Sequence, residues 1–192
     1  LNENFNPELI ISAYLQGYFP MADSRDGDIY WHSPDPRAII PLNAAKPHRS
    51  LRQFLKNNNY NYTIDAAFGR VIRSCSERED TWINDEIIEC YEILHRAGYA
   101  HSVETWFEGE IAGGLYGVAI GGAFFGESMF SFLENASKAA FYHLVEHLKQ
   151  RNFLLLDTQY INHHTELLGA VEIPKTTYLK LLEQAVNAPT RF

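Results

Sequence analysis

Three short stretches of this 192-residue chain carry side chains that could do chemistry. The first is 123-AFFGESMFS-131, an apolar, strand-like run with Glu127 in its middle. A carboxylate buried in a strand costs several kcal/mol unless something pairs with it, so Glu127 demands a partner. The second is Asp157-Thr-Gln159, at the end of a short apolar run. Strand alternation points Asp157 and Gln159 to one face, and the carboxyl end of a strand is where α/β sheets commonly place chemistry. A loop-capping Asp beside a surface Gln would give the same pattern. The third is His143-Leu-Val-Glu-His147, which matches the H-x-x-E-H pattern of some zinc peptidases. At helical spacing, however, Ala140, Phe141, Leu144, Val145 and Leu148 form one side, leaving His143, Glu146 and His147 toward water. No metal site is expected there, nor at His163-His164 beside Glu166.

Charge singles out a further segment. The net charge is −8, which argues against a general nucleic-acid binder. Yet between Pro36 and Ile64 there is no Asp or Glu, while Arg37, Lys46, Arg49, Arg52 and Lys56 contribute +5, so the remainder carries −13. Such an island reads either as a local phosphate-binding surface or as an ordinary solvated helix face. The aromatics Tyr18, Phe19, Tyr30, Trp31 and Trp82 sit in turn-rich surroundings, where they can stack on bases or close a core from its edge.

The elements that must position these groups are legible from periodicity. Helices are predicted over 7–16, 50–56, 66–75, 136–152 and about 165–168. Another follows the Asn84-Asp85-Glu86 cap and closes at Gly98. Strands are predicted over 60–64, 101–107, 111–120, 123–130 and 153–157. Residues 17–42, with Pro20, Pro34, Pro36 and Pro41, read as an irregular loop with short extended pieces. Hairpins, a helix and a returning strand give an α+β (mixed α/β) class. The two cysteines, Cys75 and Cys90, form no disulfide framework, which suits a reducing cytoplasmic location. No apolar run is long enough to span a membrane, and LNENFNPEL does not look like a signal peptide.

A resemblance ties the separate features together. YWHSPDPRA, TWI, LHRAGYAHSVE, IAGGLYGVAIGGAFFGESMFS, ENASKAA, DTQ and LLGAVEIPKTTY occur in this order and at compatible spacings. Together they resemble the bacterial leucyl/phenylalanyl-tRNA–protein transferases, from about Asn6 to Leu182. The resemblance implies an acetyltransferase (GNAT)-like core over 46–192, preceded by a small N-terminal domain over 1–45. It implies a monomeric cytosolic enzyme without cofactor or metal. Such an enzyme moves Leu, Phe or sometimes Met from aminoacyl-tRNA to the α-amine of proteins beginning with Arg or Lys, creating an N-degron.

By position, the resemblance makes Glu127, Asp157 and Gln159 the reacting group. Gln159 would orient the amine, Asp157 would hold Gln159 and bias the proton's departure, and Glu127 would face the cationic acceptor terminus. Leu115, Phe124, Met129, Leu144, Leu148 and Leu156 would line the aminoacyl side-chain pocket. Trp82 and Met21 would meet the tRNA 3′ end, and Lys46, Arg49, Arg52 and Lys56 the acceptor stem. Met21 and His32 stand where the family pattern has Trp. Two other classes fit the fold. An acyl-CoA N-acetyltransferase would need a glycine-rich turn ahead of the central helix, where this chain has Glu134-Asn-Ala-Ser-Lys138. A non-catalytic reader of N-terminal Arg or Lys would have no use for Glu127, Asp157 and Gln159 together.

Overall fold

Asn6 opens the first helix by accepting a hydrogen bond from the Leu9 N–H at 2.9 Å, with Pro7 pre-set at the first helical position. This helix, α1 (Pro7–Leu15), buries Ile10, Ala13 and Tyr14 and ends before Gly17. The computed structural model describes residues 5–25, 27–77 and 81–192. Within 17–42 the backbone is more regular than its prolines suggest. It forms a two-stranded ribbon, β1 (Phe19–Ala22) and β2 (Ile29–His32), followed by β3 (Arg37–Ile39).

The remaining elements follow in chain order. They are α2 (Arg49–Asn57), β4 (Asn61–Ile64), α3 (Phe68–Ser76), α4 (Asp85–Arg96), β5 (Ala100–Phe107), β6 (Glu110–Ile120) and β7 (Ala123–Ser131). Then come α5 (Ala136–Gln150), β8 (Leu155–Gln159), α6 (His163–Leu167), β9 (Val171–Ile173) and α7 (Lys175–Val186). The Asn84 cap on α4 forms as expected, its oxygen accepting from Ile87 N at 2.9 Å. Periodicity alone left out α7, although Tyr178, Leu182 and Ala185 recur at helical spacing and are its buried face.

Seven strands make one sheet in the order β4-β5-β6-β7-β8-β3-β9. Its neighbours are antiparallel except for β7 and β8, which α5 joins as a crossover. One core packs α1, α3, α4 and α7 on one face of the sheet, with Tyr14, Tyr91, Tyr116, Phe125 and Tyr178 in it. A second packs α5 and Leu51 of α2 on the other, around Leu115, Phe124, Leu144 and Leu156. No helix among the described residues is long and apolar enough to cross a membrane.

Two irregularities of β7 prepare the site. Opposite β6, Gly117 pairs with Gly126 and Tyr116 with Ser128, so Glu127 is the extra residue of a β-bulge. Bulges kink a strand and re-aim a side chain. On its other edge β7 pairs with β8 only at Ala123↔Leu155, Phe124↔Leu156 and Phe125↔Asp157, after which the two strands part.

Glycine is required where the bulge closes. A Cβ on Gly117 would collide with Phe125 O and lie 2.5 Å from the Phe124 ring, whereas one on Gly126 would meet only Asp157 O, at 3.5 Å. Gly117→Ala is therefore expected to cost about 1–3 kcal/mol in urea unfolding, and Gly126→Ala less than about 1 kcal/mol.

Candidate active site

The gap between the parting strands opens into a cavity of about 460 Å³. Its polar floor is Glu127 and Gln159, and its apolar wall includes Leu115, Met129, Leu144 and Leu156. Trp82, Met21, Phe19 and Tyr160 also line it. These groups come from positions between 19 and 160 in the chain, and the sheet brings them together. Phe124 and Leu148 are not among the residues that line it; both are fully buried, Phe124 stacked on Phe192 at 5.3 Å.

Asp157 is held by four donors. Arg37 Nε reaches Oδ1 at 2.9 Å and Arg37 Nη2 reaches Oδ2 at 2.7 Å, a buried bidentate ion pair. The Gln159 backbone N–H donates to Oδ1 at 2.9 Å and the Tyr178 hydroxyl to Oδ2 at 2.7 Å. A carboxylate has about four acceptor directions, so all of those on Asp157 are taken. Arg37 is held in turn: its Nη1 donates to Gly17 O at 2.9 Å, and its guanidinium lies over the Phe19 ring at 4.7 Å and the Tyr178 ring at 4.5 Å.

The backbone bond from Asp157 fixes an uncommon conformation. Gln159 has φ +62°, a left-handed geometry that a residue with a Cβ adopts only when held there. The turn aims the Gln159 side chain across the gap, where Nε2 donates to Glu127 Oε1 at 3.1 Å. Asp157 thus governs Gln159 through its backbone, not through its amide.

Glu127 has a different environment. Tyr14 OH donates to Oε1 at 2.5 Å and Tyr91 OH to Oε2 at 3.2 Å, while the two hydroxyls lie 2.8 Å apart. Two phenolic hydrogens cannot serve all three of these contacts, and a proton on Glu127 would supply the third. Burial pushes its carboxyl up to about 8; the tyrosine hydrogen bonds pull it down, Asp157 raises it and Arg37 lowers it. Burial and the Glu127 charge also raise both tyrosines, which stay neutral donors. The partner demanded by a buried acid is, within the protein, a set of neutral donors.

Tyr14, Tyr91 and Tyr178 were not foreseen, since a tyrosine at core spacing in a helix reads as ordinary packing. Arg37 was counted in the basic island, but it is only 1% exposed and belongs to the interior. Lys46, Arg49, Arg52 and Lys56 are exposed, Arg49 and Arg52 on α2 with Lys56 in its last turn. His143 and His147 do not face open water: His143 stacks on Tyr62 at 4.9 Å and His147 packs against Phe192 at 4.6 Å. Burial lowers both. No group of three potential metal ligands occurs among the described residues. His164 reaches the cavity, its Nε2 2.7 Å from Met129 Sδ. His32 stacks on Phe19 and meets Tyr160 OH through Nδ1 at 3.2 Å.

The raised carboxyl makes folding proton-linked. Folded Glu127 keeps a proton that the unfolded chain releases near pH 4.5, so its contribution is fully present below that pH and is lost as pH climbs to about 8. Relative to the parent, Glu127→Gln should gain in urea midpoint between pH 4.5 and 8, with the difference shrinking toward acid.

Comparisons with known proteins agree with one another. A family model described as leucyl/phenylalanyl-tRNA protein transferase matches residues 39–183, and one for that family's N-terminal domain matches residues 3–35. A leucyl/phenylalanyl-tRNA–protein transferase of Gloeobacter violaceus is 48% identical over 97% of this chain and 96% of its own. One of Chlorobaculum tepidum is 49% identical over 96% and 97%. One of Herpetosiphon aurantiacus is 46% identical over the full length of both. Among solved structures, L-PGS from Bacillus licheniformis aligns with a TM-score of 0.47 at 13% identity, over 81% of this chain and 51% of that one.

Proposed function

The chain belongs to the leucyl/phenylalanyl-tRNA–protein transferase family of aminoacyltransferases, and we propose that it moves Leu or Phe from aminoacyl-tRNA to the α-amine of proteins beginning with Arg or Lys. The observation that carries this reading is the cavity itself. An apolar wall faces a carboxylate and an amide, with the aromatics Phe19, Trp82 and Tyr160 also lining the space and a basic helix outside. The modified N-terminus would serve as an N-degron in the cytoplasm, with the enzyme acting as a monomer. The parting of parallel β7 and β8 supports an acetyltransferase-like core over 46–192. The separate β1–β2 ribbon supports a small domain within 1–45, which hands β3 to the main sheet.

Aminolysis of an activated ester needs orientation, proton removal and stabilisation of an oxyanion. The Leu or Phe side chain enters between Leu115, Met129, Leu144 and Leu156. Such a wall discriminates by only about 1–3 kcal/mol per methylene, which suits a site that accepts more than one apolar residue. The terminal adenosine stacks on Trp82, with the Met21 thioether beside it. The acceptor ammonium sits against Glu127, and Gln159 orients the amine. Once the ammonium has given up one proton, the neutral amine attacks the ester carbonyl; as the C–O bond breaks, the nitrogen's second proton passes to the ribose oxygen, which leaves as the hydroxyl of the tRNA.

The proton lost by the ammonium goes to Glu127. Its carboxyl titrates at about 8, close to the ordinary range of an α-amine, so transfer between them is nearly level. Asp157 has no acceptor direction left, and an amide is too weak a base. The role foreseen for Asp157 narrows to clamping Gln159.

The test is transfer of labelled leucine from Leu-tRNA to peptides beginning with Arg, Lys, Asp or Glu. Incorporation confined to Arg and Lys is expected, and none on any peptide would sink the reading. In the same assay Glu127→Gln should lose on the order of 10²–10⁴ in kcat together with the rise in kcat toward pH 8. Gln159→Glu should keep acceptor binding while turnover falls.

Lys46, Arg49, Arg52 and Lys56 supply phosphate contacts, which carry no sequence information. Activity should therefore fall steeply with salt. Arg49→Ala with Arg52→Ala should make that slope shallower, by roughly 0.7–0.9 per contact removed. An unchanged slope would remove α2 from the tRNA surface.

A further inference from the structure

Several residues that line the cavity carry hydroxyls, and these differ in what they already hold. Ser131 donates to Leu133 O at 2.8 Å and accepts from Ser137 N at 3.1 Å. Tyr160 meets His32 Nδ1 at 3.2 Å, and Thr165 donates to Asn162 O at 3.1 Å. The hydroxyls of Ser128 and Thr158, by contrast, are buried and have no hydrogen-bond partner among the described residues. Buried hydroxyls without partners are uncommon in folded proteins, and each calls for an explanation.

Strand geometry separates these two. Leu156 and Thr158 line the cavity and Asp157 between them does not, which is the alternation of a strand that shows one face. Asp157 turns toward Arg37 and Tyr178, so Thr158 points to the α5 side, with Leu156 and the apolar wall. Ser128 lies directly opposite Tyr116 in the ladder and shares its face, on which Glu127 meets Tyr91. Thr158 is therefore the hydroxyl on the aminoacyl side. It stands between Leu156, against which the Leu or Phe side chain is placed, and Gln159, which orients the amine. The ester carbonyl must lie between those same two groups.

From this placement we infer that the Thr158 hydroxyl donates to the carbonyl oxygen of the aminoacyl ester and stabilises the oxyanion of the tetrahedral intermediate. This rests on the proposed transfer from aminoacyl-tRNA and supplies a donor that its chemistry requires. Glu127 takes the proton, and the Gln159 amide is turned to Glu127. As the C–N bond forms, the carbonyl π electrons move onto oxygen, and they return when the C–O bond to the ribose breaks. The threonine keeps its own proton throughout, and its hydrogen bond strengthens as the charge develops. The group is held in place beforehand. Four donors clamp Asp157 before it, the left-handed turn at Gln159 follows it, and Tyr160 N donates to Thr158 O at 2.8 Å. A β-branched side chain is also stiff at χ1. The unpartnered hydroxyl lowers stability in exchange for a donor that is already desolvated when the ester arrives.

The experiment measures leucine transfer from Leu-tRNA to an Arg-initiated peptide by Thr158→Val and Thr158→Ser, with urea unfolding of each. Thr158→Val keeps the branched shape and removes the donor. Its kcat should fall on the order of 10²–10³-fold with KM for Leu-tRNA little changed. The rise of kcat toward pH 8 should remain, because Glu127 is untouched. The urea midpoint of Thr158→Val should not fall, since a methyl ends the cost of a buried unpartnered hydroxyl. Thr158→Ser should recover most of the lost turnover. An unchanged kcat in Thr158→Val, or a loss that follows a drop in stability, overturns the assignment. A loss that disappears when the donor carries a 2′-deoxy terminal adenosine gives the hydroxyl to the ribose and overturns it as well. Loss of turnover in Ser128→Ala but not in Thr158→Val moves the oxyanion to the acceptor side, again against the assignment. Failure of the parent chain to transfer leucine to any peptide would instead overturn the transfer reading beneath it.

Discussion

The buried ion pair between Arg37 and Asp157 is the constraint on which the rest of the site depends. Removing two charges from water is costly, and only near-complete hydrogen bonding makes such a pair tolerable. Here Asp157 receives four donors, and Arg37 is gripped by Gly17 O and two aromatic rings. One contact therefore fixes the end of α1, strand β3, strand β8 and helix α7 relative to one another. It also sets the left-handed turn at Gln159, through the same Oδ1 that meets Arg37 Nε. The position of the Gln159 amide, and through it one hydrogen bond to Glu127, follows from a salt bridge it never touches.

The sheet makes the second contribution by two departures from regularity. A bulge adds Glu127 to β7, and β8 leaves β7 two residues before Gln159. Either departure alone would be less useful. Without the bulge, Glu127 would keep the strict alternation of its strand. Without the parting, β8 would cover the β7 edge and fill the cavity with a ladder. The apolar wall needs neither, because Leu115 and Leu144 belong to an ordinary sheet–helix core, of which the cavity exposes one side.

Sequence periodicity reveals most of the elements here, because caps and glycines punctuate them: Asn84 and Gly98 each act where chain chemistry puts them. It also flags Glu127, Asp157 and Gln159, since a carboxylate in an apolar strand is conspicuous. The partners of those residues are another matter. Tyr14 and Tyr91 look like core aromatics on α1 and α4, and they are; their hydroxyls matter only because the fold turns them toward Glu127, 113 and 36 residues away. Arg37 is misread for a related reason, because a net positive segment gives no sign of which cation will be internal. Phe124 and Leu148 lie outside the cavity lining because strand and helix faces are broader than the cavity they border. Side-chain type and spacing identify reactive groups; long-range pairing determines what those groups can do.

That distinction explains why one site holds two carboxyl groups in different environments. Asp157 meets a guanidinium, and every acceptor direction on it is filled. Glu127 meets only neutral donors, two phenols and an amide, and burial lifts it to about 8. Environments that push two acids apart commonly separate a structural anion from a proton carrier. In the proposed reaction an incoming ammonium would also change the balance: its charge would stabilise ionised Glu127 on arrival, and the lost proton would remove that stabilisation on reaction. On that proposal the carboxyl would bind its substrate as an anion and become a stronger base as the amine turned neutral. A guanidinium beside Glu127 would hold the carboxylate permanently charged; Arg37 stands two strands away, on β3, with β8 between.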